Sequence, residues 1–406
     1  MNVLIHGPFG SGSLADEAML AGLLARYAAT PHSVTVLTAD PDETRLLHGG
    51  VKAIKHDSPK TLLKNKPVWA AFDTTHLFVM VSAGPINFKG EMPARFWLNQ
   101  FELIQKVGIK IALVGVRAEP IPEMRESVRA QRLLHHFSEC VTVRDDESKR
   151  VLAKQGLSPN RVSVNGDPTL GLQPVTPQPE AKRVALFITH TLPSRTEYSY
   201  APEAASPAPE HGQRLRALID SLLKNGSKLS IFHDAAAPAM EFVRDLVTGI
   251  DPDQLTLIAP DRSFGEILIE IARCESAFSC TYHGALLSAL CGVPSAAVTE
   301  EPCVPELMKS LGLETFLVPG AELGNAASAI ATIAGQRAAL SVEILKRIAG
   351  LRKKEAHNIR ALDALVPKRE VYAKEKQRAR DIEETTEDPL EGSGRRRSPR
   401  KRPGRE

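Results

Sequence analysis

No apolar run in this 406-residue chain reaches the roughly 18 residues that a membrane-spanning helix requires, so no transmembrane segment is expected. The opening Met1-Asn2-Val3-Leu4-Ile5-His6-Gly7 has no basic stretch and runs straight into a strand and a Gly-rich turn, which speaks against a signal peptide. There are only five cysteines (Cys140, Cys274, Cys280, Cys291, Cys303), none in a CxxC and none at zinc-finger spacing, so a disulfide scaffold and a zinc module are not expected. Reduced thiols in core or loop positions and a cytoplasmic location are the simplest expectation. No GK[ST] follows the first turn, so a P-loop is not supported. Charge of one sign is scarce too: the net charge is +3, yet residues 395–406 alone hold seven cations against Glu406. The rest is mildly acidic, and a whole-protein nucleic-acid surface is not supported.

What is present is ordinary globular composition, 43% hydrophobic and 24% charged, enough for two sizeable cores. The first half alternates strand and helix. Strands are predicted at 3–6, 33–38, 77–82, 110–116, 140–144 and 162–164, and helices at 16–27, 95–107, 124–137 and 147–155. A Pro-rich stretch at 173–182 reads as a linker. The pattern then restarts, with strands at 183–188, 228–232, 255–258, 277–279 and 294–298. The helices of this half are predicted at 214–223, 237–247, 264–272 and from 285 to 291. Residues 193–211, rich in Pro, Ala and Ser, read as a loop. The expected architecture is α/β: two Rossmann-like domains (1–172 and 183–325) facing a cleft. Helices follow over 326–366, crossing back over the first domain, and then a charged, disordered tail at 367–406. The tail suits an acidic surface, whether phospholipid, nucleic acid or protein, or is simply a solvated end. Nothing in the sequence sets an oligomeric state.

Ligands of such sheets sit beyond the carboxyl ends of the strands, so the strand-to-helix turns carry the candidate sites. Gly10-Ser11-Gly12-Ser13-Leu14-Ala15 matches G-x-G-x-x-A, with Asp40 ending the second strand. This either holds a dinucleotide phosphate at a helix start or makes a tight corner. Asp16 and Glu17 open the first helix, where they either answer the helix dipole or face the cleft as a base or hydroxyl ligand. Arg144 closes a strand ahead of Asp145, Asp146 and Glu147; it either balances those acids or presents a guanidinium fork to a carboxylate or phosphate. In Cys280-Thr281-Tyr282-His283-Gly284, a group that titrates near neutrality sits among hydroxyls at the start of a helix, and His283 is read as functional. His233, next to Asp234 after another strand, ranks second.

Together these elements resemble the polysaccharide pyruvyl transferase family over about residues 2–318. Gly7-Pro8-Phe9-Gly10 with Asp16-Glu17-Ala18 is similar to the family's opening segment. Val143-Arg144-Asp145-Asp146-Glu147-Ser148 through Gly156 to Gly166-Asp167-Pro168 resembles its V-R-D-x-x-S…G…D-P run. His283-Gly284 with Gly292-Val293-Pro294 resembles its H-[AG]…G-x-P segment. The resemblance implies a glycosyltransferase-B-like fold and transfer of pyruvate from phosphoenolpyruvate, the donor substrate, to a sugar of a saccharide or lipid-linked glycan as a ketal. Neither metal nor organic cofactor is implied. Arg144 would grip donor carboxylate or phosphate, His283 would contact phosphate or deliver a proton, and Asp16 would act as base at the acceptor. Gly10, Gly12, Glu17, Gly84, Thr281, Tyr282, Gly284 and His233 would bind substrate. Thr281 stands where many members have Arg, and Cys303 lies where some have Lys. Two alternatives remain: a sugar-nucleotide or glycan-binding relative without ketal chemistry, and a dinucleotide-binding enzyme. The enzymatic reading requires that the His283 imidazole from the rear half and the Arg144 guanidinium from the front half converge on one anion.

Overall fold

The computed structural model describes residues 1–56, 65–82, 85–86, 91–118, 128–132, 138–190, 209–301 and 303–365. Two parallel sheets are built in succession. The first contains β1 (Asn2–His6), β2 (Ser33–Thr38), β3 (Lys52–Lys55), β4 (Leu77–Met80), β5 (Pro85–Ile86), β6 (Lys110–Ala118), β7 (Ser138–Val143) and β8 (Val162–Val164). Its order is β3-β2-β1-β4-β6-β7-β8, with β5 paired to β6. The second contains β9 (Arg183–Phe187), β10 (Lys228–Phe232), β11 (Leu255–Ile258), β12 (Ser276–Ser279), β13 (Ser295–Val298) and β14 (Leu317–Val318), in the order β11-β10-β9-β12-β13-β14. In both, the chain lays strands to one side of the first strand and then returns to its other side. The crevice at that reversal, beyond the strand ends, is where open α/β sheets hold ligands.

The strands form because they are short apolar runs buried on both faces. Leu4, Ile5, Val79, Val114, Leu186, Ile231 and Phe278 are all fully buried. The helices start at side-chain caps. Ser13 accepts from the Asp16 N–H, Asp145 from the Ser148 N–H and Ser263 from the Glu266 N–H, the last closing a capping box. Each sheet carries apolar clusters on both faces, and one face of the second sheet is completed from outside it. Leu14, Ala18 and Ala21 of the helix Leu14–Tyr27 and Leu170 and Leu172 of the turn after β8 join the cluster around Phe187, Ile267 and Leu287. Both sheets accordingly fall within one compact unit, Met1–Leu365.

The helices Arg337–Glu355 and His357–Asp363 tie the sheets together, as the crossing reading of 326–366 expects. Ile344 and Ile348 sit in the second-sheet cluster, while Leu362 and Ile359 sit against the first. Glu355, fully buried, accepts from Arg26 at 2.6 Å, and Asn358 accepts from the Thr142 hydroxyl at 2.7 Å and donates to the Gly166 carbonyl at 3.2 Å.

Several elements differ from the sequence expectation. The helix after the 193–211 segment begins at Pro209, not 214, because His211 is a buried helical residue whose ring bonds to the Thr189 carbonyl (2.9 Å). The helix after β12 begins at Tyr282, not 285: Thr281, read as one hydroxyl of a polar turn, is its N-cap and accepts from Gly284 N–H. The strands Lys52–Lys55 and Leu317–Val318 and the helices Pro41–Leu47, Lys66–Thr74 and Val304–Leu311 had no strong pattern and were not anticipated. Gly84, most of 124–137, most of the 193–211 loop and the tail 367–406 lie outside the described residues. No helix among the described residues is long and apolar enough to cross a membrane.

Candidate functional site

Arg144 follows the last residue of β7 and is 6% exposed. His283 is the second residue of the helix Tyr282–Leu290, just past β12, and is 5% exposed. One comes from the first sheet and one from the second, and they meet at the same atom. Asp167 Oδ2 lies 3.2 Å from His283 Nε2 and 3.6 Å from Arg144 Nη1. The anion between them is a carboxylate of the chain itself. Asp167 is fully buried and stands at the N-cap of the turn Pro168–Gly171, with Oδ1 accepting from the Thr169 N–H at 2.9 Å.

Burial pushes the Asp167 carboxyl up, but the His283 imidazole and the Arg144 guanidinium outweigh it and hold the group at about 2. The folded value lies below the ordinary aspartate value, so ionised Asp167 stabilises the fold above roughly pH 4, and that stabilisation is lost as pH falls through about 2. Urea unfolding between pH 5 and 2 should show a declining stability whose slope is reduced in Asp167→Asn; an unchanged slope would contradict the assignment.

Arg144 has further neighbours. Its Cζ sits 4.4 Å from the centroid of the Tyr282 ring, a cation–π contact, and Nε is 3.4 Å from Asp145. Nη2 donates to Cys303 Sγ at 3.7 Å, and that thiol in turn donates to Asp145 at 3.7 Å. Cys303, expected in core or loop, thus stands at the guanidinium; burial raises its pKa, which keeps it a thiol. Nε and Nη1 of Arg144 have ionic neighbours but no hydrogen bond. Arg144 also lines a cavity of about 110 Å³, together with Asp167, Tyr282, Cys303, Glu306 and Lys354, among others. Glu301 accepts from the Tyr282 N–H at 2.6 Å and lies 3.9 Å from Arg117 at the end of β6. The N–H at that helix start is thus held by an internal carboxylate.

Other sequence-predicted residues lie elsewhere or serve the frame. Glu17 is fully buried, accepting from the Gly10 N–H at 2.7 Å and pairing with His48 at 2.6 Å; its oxygens are engaged within the first half rather than presented to a substrate. Gly10 has φ +67°, and a Cβ there would lie 2.4 Å from Asp40 N. The structure gives it a packing reason, as it does Gly284, where a Cβ would meet Ser279 Oγ at 2.3 Å and Phe187 at 2.5 Å. Gly12 presses against Ala235, whose N–H donates to the Gly12 carbonyl (2.8 Å). Leu14 N–H, which would face a dinucleotide phosphate, donates instead to Asp234 Oδ1 at 2.9 Å. That closes the helix start on which the dinucleotide reading rested.

Asp234 is also close enough to His190, His233 and His283 for their charges to favour its ionised form against burial, which raises its pKa. His233 is buried, with Nδ1 donating to the Asp234 carbonyl at 2.8 Å. Asp16, itself buried, lies in the first turn of the helix whose Leu14 N–H is held by Asp234. Sequence reasoning left Asp167, Arg117 and Glu301 without roles. For Arg117 the signal is a charged residue near the end of an otherwise apolar, buried strand; Glu301 lies in the loop beyond Ser295–Val298 and carries no such signal.

In solved structures the chain is similar to Anabaena Alr3699/HepE in complex with UDP-glucose, with TM-score 0.57 and 14% identity over 90% of this chain and 100% of that one. It is also similar to the S. aureus MnaA–UDP co-structure (TM-score 0.55, 13% identity, 90% of this chain and 97% of that one). A third is UDP-GlcNAc 2-epimerase from Neisseria meningitidis bound to UDP-GlcNAc (TM-score 0.52, 13% identity, 89% and 99%). At these identities the likeness establishes the fold, which is glycosyltransferase-B-like. Among curated proteins none matches the chain significantly. The polysaccharide pyruvyl transferase family model matches residues 16–302, well over half of the sequence, and the chain belongs to that family.

Proposed function

We propose that the protein transfers pyruvate from phosphoenolpyruvate to a sugar of a glycan, forming a ketal across two hydroxyls. The observation that carries this reading is the meeting of Arg144 and His283, from different sheets, on one carboxylate oxygen of Asp167, with Arg144 and Asp167 lining a cavity. A guanidinium with two nitrogens lacking hydrogen bonds is suited to a donor carboxylate or phosphate. In the proposed reaction His283 delivers a proton to the donor's methylene carbon, leaving an oxocarbenium-like centre. One sugar hydroxyl adds to that centre, losing its proton to a base for which Asp16 is the proposed group. The C–O bond to phosphate then breaks and phosphate leaves, carrying off the proton that the base took; the second hydroxyl closes the ketal and returns its proton to His283. Arg144 stabilises the donor's negative charge throughout.

The test is incubation with phosphoenolpyruvate and a panel of glycans, scored for inorganic phosphate. Acceptor-dependent release is expected, and His283→Ala should lower it on the order of 10²–10⁴-fold, the usual contribution of a general acid. No release with any acceptor, together with binding of a sugar nucleotide, would instead favour the relative without ketal chemistry. Wild-type rates in His283→Ala would place the chemistry elsewhere.

A further inference from the structure

We infer that Asp167 is a positioning residue that fixes the tautomer of His283, so that Nδ1 is the nitrogen that exchanges a proton with substrate. The inference rests on the proposed role of His283 and goes one step further, to the atom. Asp167 is fully buried and ionised, and a carboxylate only accepts hydrogen bonds. Its Oδ2 lies 3.2 Å from His283 Nε2, so Nε2 carries a hydrogen in both the neutral and the charged ring. The proton that comes and goes is therefore the one on Nδ1.

The carboxylate cannot easily turn away. Oδ1 is held by the Thr169 N–H, and the turn that follows is pressed against Gly22, where a Cβ would lie 2.0 Å from the Pro168 carbonyl oxygen. The same Oδ2 faces Arg144 Nη1 at 3.6 Å, too long for a strong bond. Asp167 thus offsets the guanidinium charge while leaving its hydrogen-bonding capacity open for a ligand. One carboxylate holds both groups in place before substrate arrives.

Asp167→Asn tests this. The Asn oxygen can keep the Thr169 bond, which turns the amide NH₂ toward His283 and asks Nε2 to accept. Long-range ¹H–¹⁵N spectra of the ring should show hydrogen on Nε2 in the wild type at a pH where the ring is neutral, and on Nδ1 in D167N. With phosphoenolpyruvate as donor, kcat should fall on the order of 10³–10⁴-fold, as where an Asp→Asn change leaves the wrong tautomer, with KM changed less than about threefold. Hydrogen on Nδ1 in the wild type would overturn the inference, even if D167N fails to fold. So would a D167N spectrum that keeps the wild-type tautomer, whatever happens to kcat. The spectra need no donor, so a protein inactive with phosphoenolpyruvate but showing the tautomer switch would remove the proposed reaction and leave the Asp167 assignment standing.

Discussion

Arg144→Ala should lose turnover and also about 3–5 kcal/mol of stability, the usual cost of removing one partner from a buried ion pair. Arg144 is the cation shared by Asp167, fully buried, and Asp145, mostly buried. Without it the Asp167 side chain keeps, among the described residues, the His283 ring and the Thr169 N–H as partners. Arg144→Lys should recover part of the stability through its charge but little activity, since an ammonium offers no planar fork and stacks less well on Tyr282. Urea unfolding of the two variants beside phosphate release separates the effects. An Arg144→Ala protein as stable as wild type would show that the acids do not need this cation.

Gly22→Ala should destabilise by about 1–3 kcal/mol although alanine is the better helix former by about 1 kcal/mol. Gly22 lies inside the helix Leu14–Tyr27, where a Cβ would stand 2.0 Å from the Pro168 carbonyl oxygen. The approach is reciprocal: a Cβ on Gly171 would meet the Gly22 carbonyl oxygen at 2.3 Å. Both neighbours are backbone, which cannot rotate aside. The turn pushed back is the one that carries Asp167, so the variant should also weaken catalysis more than its stability loss explains. Thermal melting and phosphate release check both parts; a stabilised Gly22→Ala would mean that the helix and turn are not in contact.

The alternation of strands and helices was legible because each strand is a short apolar run and each turn carries Gly, Pro or a capping side chain. β2, β10, β11 and the helix Phe264–Ala272 match their predicted bounds. Strands that are short or half exposed were not legible. Lys52–Lys55 has only Ala53 and Ile54 between two exposed lysines, and it exists because β2 offers it an edge. Likewise Arg144 and His283 could be singled out by residue type at strand ends, whereas Glu17, Gly10 and Gly284 sat in equally suggestive places and turned out to hold the frame together.

The amino-acid sequence by itself determined the two α/β halves, the strand-end placement of Arg144 and His283 and the family to which they point. Those features come from local periodicity and turn chemistry, which act between near neighbours. Only the tertiary structure decided which acids meet which cations. Asp167 bonds to a residue 116 positions away and Asp234 caps a helix 220 positions away. Such pairings are selected by the joint packing of both sheets, where a buried charge is tolerated only opposite its partner.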